Sequence, residues 1–331
     1  MLSRRKFSFL LFLTISICVV VSPLSAQVQL SPEQRDFKAK IVAAYTQRDD
    51  AAIALLVKDN RFLVKPVVDE LLTGGITSEF QKKEEEAQQN LAIAAKLAET
   101  HKTLFGERSL VLAVQYVAGW TKDQKIKKLR ADSLNALAVS FRTKKETCER
   151  ATQAYQQALA IYKEIGDRRS ESVALGGLGV VAFTLGNGTG LIDYAKQALA
   201  IRQEVDDRQL IGNSFHDIGV AYYSFLRDNS NAVFYYQKAE SARTAIGDNV
   251  ALSRSLLAKA QAYEKMGQLT LAIMYFQKAA QLSSKLGNKG SVATSLYDCA
   301  RLYTRIGRYR EALQILEEVR SVTTGLPDKK L

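Results

Sequence analysis

His216 and Asp217 set an imidazole beside a carboxylate, the beginning of a metal site or a proton-transfer pair. Completing either needs partners of the same kind, and the chain offers one other histidine, His101. No serine stands in a G-x-S-x-G turn, so a Ser-His-Asp nucleophile has no frame. The glycine-rich 186-GNGTG-190 lacks the lysine that a phosphate-cradling loop carries. Asn187-Gly188-Thr189 is a glycosylation sequon in letters alone, and Glu84-Glu85-Glu86 reads as a helix surface run. No cluster has metal-ligand spacing. The residues thus predict a chain that is not an enzyme and has no metal or cofactor. What remains is recognition chemistry. Arg301 and Arg305 stand one helical turn apart, so both could reach a single acidic group.

Elements that could hold such groups follow from composition. Prolines occur at 23, 32, 66 and 327 only, and the stretch between the last two is rich in Ala, Leu, Gln, Glu and Lys. It reads as helix throughout. Apolar residues make up 47% of the 331, enough for a packed core. The formal charge of +12 falls to +9 without the first 26 residues, which hold Arg4, Arg5, Lys6 and no acid. Acids are interspersed along the rest, and no nucleic-acid motif appears, so the partner expected is not a nucleic acid. The basic run 122–130 reads as the solvated face of a helix, with a lipid- or acid-binding patch as the alternative.

Residues 1–26 have the plan of an export signal: a basic start, an apolar stretch from Phe7 to Val21, then proline and small residues. Fifteen apolar residues are short of the roughly 20 that a membrane span needs. Cleavage near Ala26 is expected, by the general or the twin-arginine route, leaving no stable membrane span in a periplasmic or secreted, bacterial product. Cys148 and Cys299 then remain, and both read as packing residues.

The chain repeats itself. A small residue closes every second helix at Ala158, Ala198, Ala239 and Ala279, with Val319 next, at spacings of 40, 41, 40 and 40. The turns that follow are Ile165-Gly166-Asp167, Val205-Asp206-Asp207, Ile246-Gly247-Asp248 and Leu286-Gly287-Asn288. Glycine then Asp or Asn ends one helix left-handed and caps the next. Inside the next helix a second small residue recurs at Gly179, Gly219, Ala260 and Ala300, followed three residues on by Tyr222, Tyr263 and Tyr303. Glycine inside a helix costs about 1 kcal/mol against alanine, so its recurrence implies close packing with a large partner beside it. One extra residue falls in the 225-FLRDNSN-231 turn.

Residues 256-LLAKAQAYEKMGQLTLAIMYFQKA-279, with Leu256, Ala260, Tyr263, Gly267, Ala272, Phe276 and Ala279 in place, resemble the tetratricopeptide repeat in its longer, 40-residue form. That form occurs in kinesin light chains, G-protein signalling modulators and bacterial arrays joined to caspase-like domains. Further copies lie at 296–319, 215–239 and, more loosely, 175–198, with a degenerate one formed by 134–141 and 151–158. The resemblance implies an all-α, right-handed solenoid of about five antiparallel helix pairs over 121–323. Residues 27–120 would be an N-terminal helical cap, and 324–331 a short tail. Within the cap, helices are expected from Pro32 to about Gln47, from Asp50, over 61–75 ending at Gly74-Gly75, from Ser78 to about Leu104, and up to Trp120. Ser31 and Thr121 each open a capping box.

The resemblance also implies a site. First helices line the concave face, where partner peptides lie. That projects Asn135, Arg142, Asn213, His216, Tyr223, Arg254, Gln261, Glu264, Tyr297, Arg301 and Arg305 as partner-binding residues. Such amide, phenol and guanidinium groups can bond an extended backbone or fork a carboxylate, so a protein or peptide partner with acidic groups is expected. The asparagine ladder of the 40-residue relatives is absent: Val180, Val220, Gln261 and Arg301 stand at one of its positions, Gly177, Asp217, Ala258 and Asp298 at the other. The function expected is a non-catalytic protein-interaction scaffold. The alternative is a self-associating scaffold, or the array part of a larger regulatory protein, touching its partner through Leu313, Leu316 and Val319 of the last repeat.

Overall fold

The computed structural model describes residues 30–324. The export-signal reading therefore lies wholly outside the described residues, as do residues 325–331. Fifteen α-helices and no strand occur among the described residues, and consecutive helices pack in pairs, the architecture of an all-α TPR solenoid. They are α1 Pro32–Thr46, α2 Asp50–Asp59, α3 Arg61–Phe80, α4 Glu84–Phe105, α5 Ser109–Gly119, α6 Lys122–Phe141, α7 Cys148–Ile165 and α8 Arg168–Thr184. After them come α9 Gly188–Glu204, α10 Arg208–Ala221, α11 Asn229–Ile246, α12 Asn249–Lys265, α13 Leu269–Lys285, α14 Lys289–Arg305 and α15 Tyr309–Thr323.

The local punctuation works as its chemistry requires. Both capping boxes close, at Ser31–Gln34 and at Thr121–Gln124. Gly166, Gly247 and Gly287 sit left-handed at φ of 73°, 72° and 69°. Asp167, Asp248 and Asn288 then accept the backbone N–H three residues on, at 3.0 Å each. At the corresponding turn without glycine, Asp206 takes the left-handed conformation itself, at φ 56°.

The structure corrects three local expectations. Gly74-Gly75 does not end α3, which runs on to Phe80; the turn is Gln81–Lys83, with Lys82 left-handed. The second glycine answers a packing need: a Cβ there would stand 2.9 Å from the Leu91 side chain. The extra residue is not a longer loop. It is taken up in a π-helical turn, Tyr222–Leu226, that widens the end of α10 before Arg227 turns left-handed. Nor is the basic run 122–130 a bare solvated face. Lys125 meets Glu79 at 2.7 Å, Lys127 meets Asp123 and Glu164 at 2.6 and 2.9 Å, and Lys128 meets Asp132 and Asp167 at 2.6 and 3.2 Å. Intramolecular carboxylates consume these charges.

The described residues form two compact units. The first comprises residues up to Gly177 together with Glu204–Asp207; the second comprises Leu178–Gln203 and everything from Arg208 on. In the first unit, Phe37, Ile53, Val67, Leu71, Ile93 and Leu97 are buried among α1 to α4. Beside this apolar core lies an ionic one. Lys65 bridges Glu107 and Asp207 at 2.5 and 2.6 Å, Arg169 pairs with Asp69, and Arg61 reaches Glu107 at 3.5 Å. Ser109 donates to Glu107 at 2.9 Å, and the Trp120 indole donates to Ile165 O at 3.1 Å. Burial lowers the His101 pKa to about 4, so this histidine is neutral in the fold.

In the second unit the repeat packing is direct. The Tyr236 ring lies against Gly219, where a Cβ would stand 2.7 Å from two ring carbons. Ala260, Ala272, Phe276, Cys299 and Leu302 form one buried cluster over three helices. Cys148 and Cys299 are both buried free thiols, and burial pushes the latter up to about 11.

Candidate partner-binding face

The nine predicted residues of the second unit lie on the first helices of successive pairs. Asn213 and His216 belong to α10 and Tyr223 to its π turn; Arg254, Gln261 and Glu264 to α12; Tyr297, Arg301 and Arg305 to α14. Offsets of about 40 residues return each position to the same side of consecutive helices, so a linear pattern becomes a surface.

One end of this face gathers around Arg243, a buried side chain of α11. Its guanidinium donates to Ala251 O at 2.8 Å, to Asn213 Oδ1 at 3.0 Å and to the Ser255 hydroxyl. Ser255 Oγ lies 3.3 Å from His216 Nδ1, and the His216 ring packs against Tyr236 with centroids 5.5 Å apart. Burial pushes His216 down to about 3, helped by Arg243 and Arg254, so its imidazole is neutral. Burial likewise pulls the Arg243 pKa down to about 10. Asp217 is half-buried, and desolvation raises its pKa to about 6 although Arg202, Arg243 and Arg254 oppose the rise. Among the described residues no hydrogen bond or ion pair reaches Asp217 or Arg254.

The other end gathers around Arg301. Its two terminal nitrogens fork the Glu264 carboxylate at 2.6 and 2.8 Å, and one also reaches Asp298 at 3.2 Å. The hydrogen bond from Arg301 holds the Glu264 carboxyl below its usual range, with Arg305 contributing through space. Burial raises the Tyr223 phenol, and Glu264 and Asp298 raise it further. Tyr223 and Asp217 both act on Tyr236, which links the two ends. Tyr297 stands exposed and Gln261 half-buried. Arg301 is therefore already forked onto a carboxylate of its own chain, while Arg254 and Arg305 have no ion pair among the described residues.

Asn135 and Arg142 belong to the first unit. Asn135 has a buried side-chain oxygen with no hydrogen-bond partner among the described residues. Arg142 donates to the Tyr155 hydroxyl at 3.3 Å.

Residues around the face that the spacing rule did not select are Asp217, Arg202, Arg243, Asp298 and Ser255. Arg202 donates to Leu210 O at 3.2 Å and to Ser214 Oγ at 2.6 Å, as Arg243 does to Ala251 O and Ser255 one repeat later. All three pairs of equivalent residues, Arg202/Arg243, Leu210/Ala251 and Ser214/Ser255, are 41 apart in sequence. That recurrence was the signal available. Among the described residues no group of three or more His, Cys, Asp or Glu is placed to hold a metal ion.

Residues 252–324 match the family model described as tetratricopeptide repeat. No curated protein matches the chain by sequence. Among solved structures, the chain is similar to a Podospora anserina kinesin light chain protein of nearly identical TPR-like repeats, with 20% identity and a TM-score of 0.50; the match covers 61% of this chain and 99% of that one. It is also similar to the apo form of RapI, at 11% identity and TM-score 0.54, covering 94% and 78%. A third is the signal transduction ATPase with numerous domains and a tetratricopeptide repeat sensor from Pyrococcus horikoshii, at 17% identity and TM-score 0.53, covering 91% and 50%. At these identities the likeness is one of fold. With the helix-pair packing and the left-handed glycine turns, the match places tetratricopeptide repeats at residues 252–324, in a fold that is a protein-interaction scaffold.

Proposed function

We propose that this scaffold is non-catalytic and holds an extended segment of a partner protein, carrying acidic side chains, along the first-helix face of the second unit. The observation that carries the reading is the combination of Arg254 and Arg305, unpaired among the described residues, with the unpartnered Asp217 carboxyl. The guanidiniums can fork ligand carboxylates, and Asp217 can accept from a backbone N–H. Arg254, Arg301 and Arg305 on the face, with the buried Arg202 and Arg243 behind it, outnumber Asp217, Glu264 and Asp298, so the field at the face favours an acidic ligand. An acidic group reaching Arg301 would compete with Glu264 for its guanidinium.

Selection from a random peptide library tests this. Acidic peptides should be enriched, their affinity should fall with salt, and Arg254→Glu/Arg305→Glu should weaken them at least tenfold. Peptides that bind this variant and the parent equally would refute the placement. We also propose export to the periplasm or the medium, from the charge and apolar pattern of residues 1–26. Mass spectrometry of the exported product should find Gln27 at its N-terminus; an intact N-terminus would refute it.

A further inference from the structure

The last described helix, α15, shows an apolar stripe to solvent. Tyr309 is 68% exposed, Leu313 60% and Leu316 41%, with Arg320 in line behind them. One repeat earlier the same positions are Leu269, Ile273, Phe276 and Ala280 of α13. There Ile273 is 6% exposed and Phe276 0%, because Cys299, Leu302 and Tyr303 of α14 lie over them. Ala280 is likewise covered, by Val292 and Leu296. The stripe on α15 is thus the position at which this fold receives another helix.

Charge tells which helix. Residues 309, 313, 316 and 320 have the 4-3-4 spacing of a coiled-coil seam, in which they are core positions. Arg310 and Glu317 are then equivalent flanking positions on the solvent side of the seam. Both are exposed, and neither has an ion pair among the described residues. In α13 these places hold the uncharged Thr270 and Gln277. In an antiparallel pair of identical helices, equivalent flanks face each other with their order reversed. Arg310 of one copy then meets Glu317 of the other, twice about the two-fold axis. Leu313 packs on Leu316, and Tyr309 on the Arg320 stem.

We propose that α15 pairs antiparallel with α15 of a second copy of this chain. The contact is independent of the acidic-peptide reading, since it uses none of the residues of that face.

Sedimentation equilibrium on the full chain tests it through a charge exchange. The parent should be dimeric. Arg310→Glu and Glu317→Arg should each raise the dimer dissociation constant at least tenfold, because like charges then face each other twice. Mixing these two variants should restore the dimer, since both cross pairs become Arg–Glu, and the double variant Arg310→Glu/Glu317→Arg should dimerise alone. Leu313→Glu/Leu316→Glu should be monomeric with unchanged helical circular dichroism. A monomeric parent would overturn the proposal, as would a mixture that stays monomeric. So would a chain stopped after Thr324 that dimerises where the parent does not, because the stripe would then belong to residues 325–331.

Discussion

Asp217→Asn isolates the electrostatics of the proposed binding face. The carboxyl is half-buried, and desolvation lifts its pKa from 3.8 to about 6 in the fold. A difference of about two pK units corresponds to ~3 kcal/mol at 1.36 kcal/mol per unit. The sign follows from proton binding. As pH rises from about 4 to about 6 the unfolded chain has released its proton while the folded chain still holds it, so folding loses stability over this window and stays lower above it. Asparagine has the same shape and no charge to desolvate. Asp217→Asn should therefore have little effect near pH 4 and stabilise at pH 7.5, by about 1–3 kcal/mol once partial solvation of the half-buried group is allowed for. Urea unfolding of parent and variant at both pH values gives the comparison. His216 titrates alike in both proteins and cancels in the difference. An equal effect at both pH values would refute the reasoning. Destabilisation at pH 7.5 would mean that Arg202, Arg243 and Arg254 outweigh the desolvation.

Other sites give sharper structural tests. Gly177→Ala would set a Cβ 2.2–2.6 Å from the buried Tyr155 ring, so overpacking should exceed the helix-propensity gain, leaving a loss of about 1–2 kcal/mol in urea melts. Lys65→Met removes the ammonium between Glu107 and Asp207 in the first unit, leaving Arg61 and Ser109 on Glu107 and Arg169 on Asp207, and should cost about 3–5 kcal/mol in urea melts near pH 7. A loss under about 1 kcal/mol would mean that the remaining donors compensate both carboxylates. His101 has its folded pKa lowered from 6.5 to about 4, so its contribution is complete above pH 6.5 and is lost as pH falls toward 4. His101→Leu should flatten the acid limb of the stability curve by ~3 kcal/mol, and an unchanged limb would refute the neutral assignment.

The fold was legible because its signals are local and repeated. Gly166, Gly247 and Gly287 take the left-handed conformation that no other side chain adopts as cheaply, and the acid or amide after each caps the next helix. Gly219 stands where its spacing put it, beneath an aromatic ring. The same signals misled where glycine served packing instead. Gly75 makes room for Leu91 inside an unbroken helix, and nothing within residues 61–80 distinguishes that use from a helix stop.

By itself the sequence determined the period, most of the helices and the turns between repeats. Those depend on a residue's own neighbours along the chain, and each repeat restates them. Only the tertiary structure decided which charges are still available. Arg301 and Arg305 look alike in sequence, yet Glu264, 37 residues away, forks the first and leaves the second unpaired among the described residues. Lys125, Lys127 and Lys128 look like a basic patch and are spent on acids of their own chain. Lys65 and Asp207, 142 residues apart, are buried against each other. Desolvation and ion pairing act through space, so they are set by packing, and no residue type or spacing along the chain encodes them alone.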